Sequence, residues 1–353
     1  MTSPILTRKR PVTLKDVAAR AEVNVASVSA VLNGSKLNTS IAESTRARIV
    51  QAASELGYQA NAHAQSLALG GRSNTLALLS GMDLGIATQK IWAIQHAFRE
   101  SGFEVELHGK PRFSSQAAEH QTALLQRLRR QNPRAIIFTP FGLEQSALDE
   151  LRAYQEGGGT LLCFDADSPL ECDVVLFDEE NCAWQATHHV LQLGHRKVGF
   201  CLHGGGWDEP SSRTKGFSTA LREAGIEPPQ DWCFSHCCYE AGGATLAQQF
   251  LELRERPTAL CIVNDVMAAS FVHTLLRAGL RVPHDVSVVG QDGLPAAEHC
   301  VVPLTTVSEP LESIGDAAFE LLSSRLDNRY AGPPRRIVIK GKLIVRQSAA
   351  ALS

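Results

Sequence analysis

The sequence lacks the signatures of the common enzyme classes. It has no Walker-type phosphate loop, no G-x-S-x-G elbow, no dinucleotide G-x-G-x-x-G and no H-E-x-x-H. The run Gly204-Gly205-Gly206 is not followed by the Lys-Ser/Thr that a phosphate loop requires. A stretch of about 20 apolar residues, which a membrane span needs, is missing, as is a signal peptide. Nine cysteines are present, an odd number scattered along the chain. Their one cluster, Cys233-Phe234-Ser235-His236-Cys237-Cys238, has the spacing of an extended strand, which points Cys237 and Cys238 to opposite faces. No second ligand pair at zinc spacing accompanies it, so neither a metal nor a cofactor is expected, and the thiols read as buried free cysteines. These absences lead to the expectation of a reduced, cytoplasmic, non-enzymatic protein.

What the sequence does have is concentrated in its first 70 residues. Thr13-Leu14-Lys15-Asp16 opens a helix in capping-box style, with Asp16 at the positive end of the helix dipole. Helix 1 covers about 14–20, with Val17 and Ala18 inward, and Ala21-Glu22-Val23 makes the turn. Asn24 caps a second helix over 25–32 that presents Val25, Ala26, Ser29 and Ala30 outward. So short a turn is what a helix-turn-helix requires. Beyond Asn33-Gly34, Ser40-Ile41-Ala42-Glu43 reads as another capping box. A third helix runs to Leu56 with Ile49, Ala53 and Leu56 at helical spacing, and Gly57 supplies a left-handed stop.

Such helices could equally form any small bundle, and charge shifts the balance. Residues 1–72 carry nine Lys/Arg against four acids, net +5, in a chain of net −3, which leaves −8 for the remainder. A small basic head on a large acidic body points to a polyanion-binding head.

The matching residues identify the kind of head. Thr13 to Ala18, Val28-Ser29, Val31-Leu32-Asn33-Gly34, Thr45-Arg46-Ala47-Arg48-Ile49, Leu56-Gly57-Tyr58 and Asn61-x-x-Ala64-x-x-Leu67 occur in order. The segment resembles the DNA-binding headpiece of the LacI/GalR family of bacterial transcription regulators. The resemblance implies that the second helix enters the major groove and that a hinge helix lies in the minor groove. Leu67 would be the apolar wedge that unstacks a central base step. DNA contacts are thereby expected at Thr13, Leu14, Asn24, Val25, Ala26, Ser29, Ala30, Asn33, Thr45, Tyr58, Asn61, Ala64 and Leu67.

Departures from the family pattern fall at the DNA-facing positions. Val25, Ala26 and Ala30 replace residues that are often polar and can only pack on thymine methyl groups. Base readout then leans on apolar contacts, Ser29, Asn33 and the hinge, so specificity is expected to be modest and shape-dependent. Ala60 replaces the usual proline before Asn61. Ala42 stands where helix 3 has its serine cap, a role Ser40 can take over. Glu22 stands where the turn normally has glycine, with no obvious compensation.

Beyond about residue 74, apolar runs at 75–79, 105–107, 135–139, 161–164, 174–177, 198–202, 260–263 and 286–289 alternate with helical patterns near 89–101, 116–130, 144–156, 182–193, 213–224, 243–254 and 267–278. The alternation predicts an α/β body of buried parallel strands with helices on both faces, long enough for two lobes. Gln192-Leu193-Gly194-His195, Arg213-x-x-Gly216-Phe217, Asn264-Asp265-x-Met267-Ala268, Gly279-Leu280-Arg281-Val282-Pro283 and Pro303-Leu304-Thr305-Thr306-Val307 continue the family resemblance. It implies a two-lobed, periplasmic-binding-protein-like effector domain behind an all-α helix-turn-helix headpiece. The expected division is a headpiece at 1–60, a hinge helix and linker at 61–74, and an effector-binding and dimerisation domain at 75–353. Within the last, the N-lobe would take about 75–177 and 306–330, and the C-lobe about 178–305 and 331–353.

Ligands bind outside the carboxyl ends of parallel strands. Asp165, Asn264 and Asp292 each follow an apolar run, and Arg213 opens a helix. Each alone has an ordinary reading, as a helix cap or a surface ion pair. Together, at the family's effector positions, they favour a small polar ligand, either hydroxyl-rich or bearing a carboxylate or phosphate. A sugar or sugar derivative is the family's commonest effector, yet Cys237-Cys238 stand near where relatives place an aromatic platform, a place Trp207 could take. The resulting expectation is a ligand-responsive repressor that binds a near-palindromic double-stranded operator as a homodimer, without membrane attachment. No leucine heptad follows Val345-Arg346-Gln347-Ser348, so no tetramerisation coil is expected. The rival is a cytosolic sugar-binding or sugar-converting protein whose basic head is incidental.

Overall fold

The computed structural model describes residues 12–32, 41–58, 74–80, 86–109, 116–203, 211–227, 230–236 and 239–352. Asn33, Ser40, Ala60, Asn61, Ala64, Leu67, Trp207, Cys237 and Cys238, each singled out in the sequence, lie outside them, as does the hinge.

Three helices come first: α1 (Leu14–Ala21), α2 (Val25–Leu32) and α3 (Glu43–Leu56). Thr13 and Asp16 form the reciprocal capping box, with Thr13 N donating to Asp16 Oδ2 at 2.8 Å. Asn24 Oδ1 accepts from Ser27 N at 2.7 Å and caps α2. Val17, Ala18, Ala21, Val28, Ile49, Ala52 and Ala53 make the core of this unit. On α3 the N-cap is Ala42, without a side-chain bond, and its carbonyl accepts from Thr45 N and Arg46 N, while Ser40, expected to supply the cap, lies outside the described residues. Gly57 stops α3 at φ 64°.

The body holds two six-stranded sheets. The first contains β1 (Thr75–Ser80), β2 (Glu104–Gly109), β3 (Ala135–Phe138), β4 (Thr160–Phe164), β5 (Asp173–Phe177) and β11 (Arg336–Ile339), in the order β11-β5-β4-β3-β1-β2. The second contains β6 (Val198–His203), β7 (Cys233–His236), β8 (Ala259–Ile262), β9 (Ser287–Asp292), β10 (Thr305–Ser308) and β12 (Lys342–Ile344), in the order β12-β10-β9-β8-β6-β7. Every pairing is parallel except that of β10 with β12. The helices are α4 (Ile86–Ala97), α5 (Ala117–Gln131), α6 (Gln145–Glu156), α7 (Glu179–Gln192), α8 (Ser212–Glu223), α9 (Tyr239–Glu252), α10 (Asp265–Arg277), the short α11 (Pro295–His299) and α12 (Leu311–Leu326).

Strands β1 and β3–β5 are buried along almost their whole length, as unbroken apolar runs require when helices cover both faces. Alternate residues feed separate cores. Leu76, Leu78, Ile137 and Leu162 meet α4 and α12, whereas Ala77, Leu79, Ile136 and Leu161 meet α5 and α6.

The chain crosses between the sheets three times, first after β5 and then twice at places other than those expected. All of β10 stays in the second sheet, so the return to the first falls after Ser308 rather than at 306. Residues 331–353 do not all belong to the second lobe, because β11 pairs with β5 in the first sheet and only β12 returns to β10. The cause is an ion cluster. Buried Asp173 opens β5, accepting from Arg325 Nη2 at 2.7 Å, from Arg335 N at 2.8 Å and from Arg335 Nη2 at 2.8 Å. Both guanidinium groups lie against the Tyr330 ring, which clips the segment leaving α12 onto the start of β5.

Candidate functional site

In the headpiece, the exposed corner of α2 is its first turn. Val25 is 40% exposed, Ala26 is exposed and Ser29 is half-buried. Ala30 is a correction: it is 2% exposed and cannot reach a base edge. The reason is that α2 buries Val28 and Ala30 and half-buries Val31 and Leu32, so both flanks of its last turn are covered. Thr13, Leu14, Thr45 and Tyr58 are half-buried, and Leu14 and Tyr58 also pack on the three-helix core. Asn24 is exposed at the tip of the turn. Glu22 ends α1 at φ 55° and ψ 47°, the left-handed conformation that favours glycine. Its family position therefore has a physical meaning, and here an L side chain bears the strain.

The body brings a second set together at the carboxyl edges of both sheets. Arg213 sits in the first turn of α8, which is capped reciprocally by Ser211 and Thr214. Gly216 lets α8 press against α7, since a Cβ there would stand 2.0 Å from Glu180 O. This approach places Arg213 Nη2 2.9 Å from Glu179 Oε1, and Nη1 donates to Val263 O at 3.3 Å. Asn264, just past β8, accepts from Met267 N at 2.8 Å and caps α10, while its buried Nδ2 has no partner. Asp292 ends β9 at φ 105° and Asp165 follows β4 at φ 75°. Both are non-glycine residues in left-handed backbone, a strain that concentrates at working sites. Gly293, at φ 74°, packs against Ser308, where any Cβ would clash.

Three participants escaped the sequence reading. Lys90 of α4 is 4% exposed, paired with Asp165 and 2.7 Å from Glu309 Oε2. Glu309 begins the return crossing, and its N–H donates to Asp292 O at 3.1 Å, joining the Lys90 cluster to the Arg213 cluster. Gln291 is 1% exposed with neither side-chain atom hydrogen-bonded. A signal for Lys90 existed in the sequence, since Lys90, Ile94 and Phe98 form one buried helical stripe. Glu309, on a connection without periodicity, left none.

Electrostatics follow from burial. Desolvation raises the Asp292 carboxyl well above its ordinary value, helped by Glu309 and opposed by Arg213. Desolvation lifts Glu309 to about 7 despite Lys90. Asp265, buried beneath the site, is pushed up to about 6 by desolvation, while Thr306 Oγ1 at 2.7 Å and Leu294 N at 2.8 Å moderate the shift. Burial works against the Lys90 ammonium, but Asp165 and Glu309 hold it above the ordinary lysine range.

The chain matches a model of bacterial regulatory proteins, lacI family, over residues 13–61, and one of the periplasmic binding protein-like domain over 187–349. The chain belongs to the lacI family. It is 29% identical over 350 residues to the HTH-type transcriptional repressor PurR of Photobacterium profundum, covering 97% of this chain and 99% of that one. It is 28% identical over 348 residues to the HTH-type transcriptional regulator DegA of Bacillus subtilis, with the same coverage. Among solved structures, the Lac repressor dimer bound to operator and the anti-inducer ONPF matches with a TM-score of 0.81 at 24% identity, over 97% of this chain and 100% of that one. A transcriptional regulator CelR–cellobiose complex matches with a TM-score of 0.68 at 26% identity, over 96% and 100%. The lacI-family chain is thus a DNA-binding transcriptional regulator with a helical head and a two-sheet α/β body. Among its described residues no helix is long and apolar enough to cross a membrane. Seven described cysteines are free, five of them buried.

Proposed function

We propose that this regulator is a cytoplasmic repressor that binds a near-palindromic operator as a dimer, and that a small hydroxyl-rich metabolite, a sugar or sugar derivative, controls its hold on DNA. One observation carries the reading. Half-buried Arg213 and buried Asn264 and Asp292, with Asp165, converge from four connections at the carboxyl edges of two sheets, in a chain whose basic head is a helix-turn-helix. Residues 1–60 act as the headpiece, 61–74 as the hinge and the remainder as the effector body. Val25, Ala26 and Ser29 meet the major groove, and Leu67 is the wedge. The two lobes are linked through the crossings, so a ligand that favours one orientation of the lobes shifts its population. Hinge helices are short and fold only when held at the right spacing. Ligand and operator are therefore coupled through the distance between two hinges. Exposed Trp92 and Leu107, the latter on edge strand β2, give the first lobe an apolar surface for the second copy. The CelR complex with cellobiose and the operator-bound Lac repressor dimer support the same reading.

The test is operator selection from random duplexes, followed by light scattering and titration with candidate sugars. A selected palindrome bound by a dimer and released or tightened by a sugar is the expected result. Arg213→Ala should abolish the ligand response and keep operator affinity within about threefold, under about 1 kcal/mol. Loss of DNA binding as well would make Arg213 a folding residue.

A further inference from the structure

The cleft is not electrically balanced. Among the described residues, two cations, Lys90 and Arg213, face four carboxylates, Asp165, Glu179, Asp292 and Glu309. The pairing is already allotted. Lys90 is held between Asp165 and Glu309, and Arg213 is bonded to Glu179 and to the Val263 carbonyl. Asp292 has no hydrogen bond or ion pair to its carboxylate among the described residues and is 5% exposed. It feels Arg213 only at longer range, against the opposing field of Glu309 and Asp265. A buried carboxylate in such surroundings must acquire either a proton or a positive partner.

Two further groups point to a polar ligand rather than a proton. Asn264 Nδ2 is a buried donor with nothing to donate to, and Gln291 leaves both its amide nitrogen and its oxygen without partners. Strand alternation puts Gln291 on the face of β9 that carries Val289, packed against Cys182 of α7 and Phe217 of α8. The first turns of these same helices hold Glu179 and Arg213. Unpartnered amides this deeply buried are rare in finished cores and common where a polar molecule completes them.

We infer that the effector carries a protonated amine set against Asp292, with hydroxyl or carbonyl groups set against Asn264 and Gln291, and that phosphorylated or carboxylated metabolites are excluded. An added anion would meet four carboxylates whose cationic partners among the described residues are engaged. Lys90 is the specificity-determining residue on the first lobe, because its ammonium is shared between Asp165 and Glu309 and leaves Asp292 as the carboxylate of the cluster with no ion pair among the described residues. This inference rests on the reading of the cleft as the effector site.

The experiment is calorimetric titration of the full-length protein at about pH 6.5, where an amine is charged. Two matched series are used: glucosamine, glucose and glucose 6-phosphate, and ethanolamine, ethylene glycol and glycolate. The amine should bind about tenfold or more tightly than its neutral analogue in at least one series, and the anion most weakly. Asp292→Asn should erase the amine preference, and its melting profile establishes that it folds. The wild-type series stand without that variant. A preference for the anion, or no difference across both series, overturns the inference. Selected-operator binding by the same preparation is measured first without probes and then with the amine that binds. If that binding is intact while the anion is preferred, only the charge assignment fails. If an amine binds and operator affinity does not change, the effector reading itself fails.

Discussion

Glu22 shows how much one side chain can say. It holds a left-handed conformation that costs an L residue about 1 kcal/mol, at the turn between α1 and α2, and its N–H donates to Ala18 O within that cap. Glu22→Gly should therefore stabilise the headpiece by about 1 kcal/mol, slowing amide exchange across α1–α3 about fivefold in the full-length protein. Unchanged exchange would show that the turn carries no strain. The same substitution removes a negative charge close to where phosphates would lie, so DNA affinity should rise too. Glu22, Asn24 and the exposure of Val25 were readable as residues in a pattern. The burial of Ala30 was not, because a two-turn helix contacts neighbours on more sides than an amphipathic pattern resolves.

At the level of elements, most of the central strands and the large helices of the body other than α12 were legible as apolar runs of four to six residues between amphipathic stretches. Edge strands β11 and β12 were not, because half-exposed strands are short and lack a continuous run, as the alternating exposure of β11 shows, and neither was the buried β10, whose paired threonines Thr305 and Thr306 break its apolar run. What secures β11 is the Asp173 cluster. Burial pushes the Asp173 carboxyl up, but Arg325 and Arg335 override it and hold the carboxyl below the ordinary aspartate range. A depressed carboxylate contributes stability that is fully present above its unfolded value, about 3.9, and is lost as pH falls through the lower folded value. Asp173→Asn should thus destabilise the body by about 3 kcal/mol near neutrality, and the gap from wild type should narrow below about pH 4. Urea unfolding at a series of pH values measures both. A gap that widens in acid would contradict the assignment.

For the whole molecule, the asymmetry of a +5 head and a −8 remainder governs behaviour. Operator affinity should fall about 10³-fold between about 50 and about 200 mM salt if two heads neutralise about six phosphates together. Ligand binding in the buried cleft should change far less over that range, since exposed charges are screened and buried ones are not. Leu67→Ala should reduce DNA bending and affinity together, by about tenfold in affinity, as read by circular-permutation mobility shifts. Normal bending in that variant would assign the kink to another residue.

The sequence alone determined that there is a basic helix-turn-helix head, a doubly wound two-lobed body and a polar site after the strands. Those features are written in local spacing, caps and charge, which short-range physics reads directly. Only the tertiary structure decided that Lys90 and Glu309 join the candidate site, that Asp292 has no ion pair among the described residues, and that β11 sides with the first lobe. Each depends on groups far apart in the chain meeting in a low-dielectric interior, where burial rather than residue type sets what a charge must do.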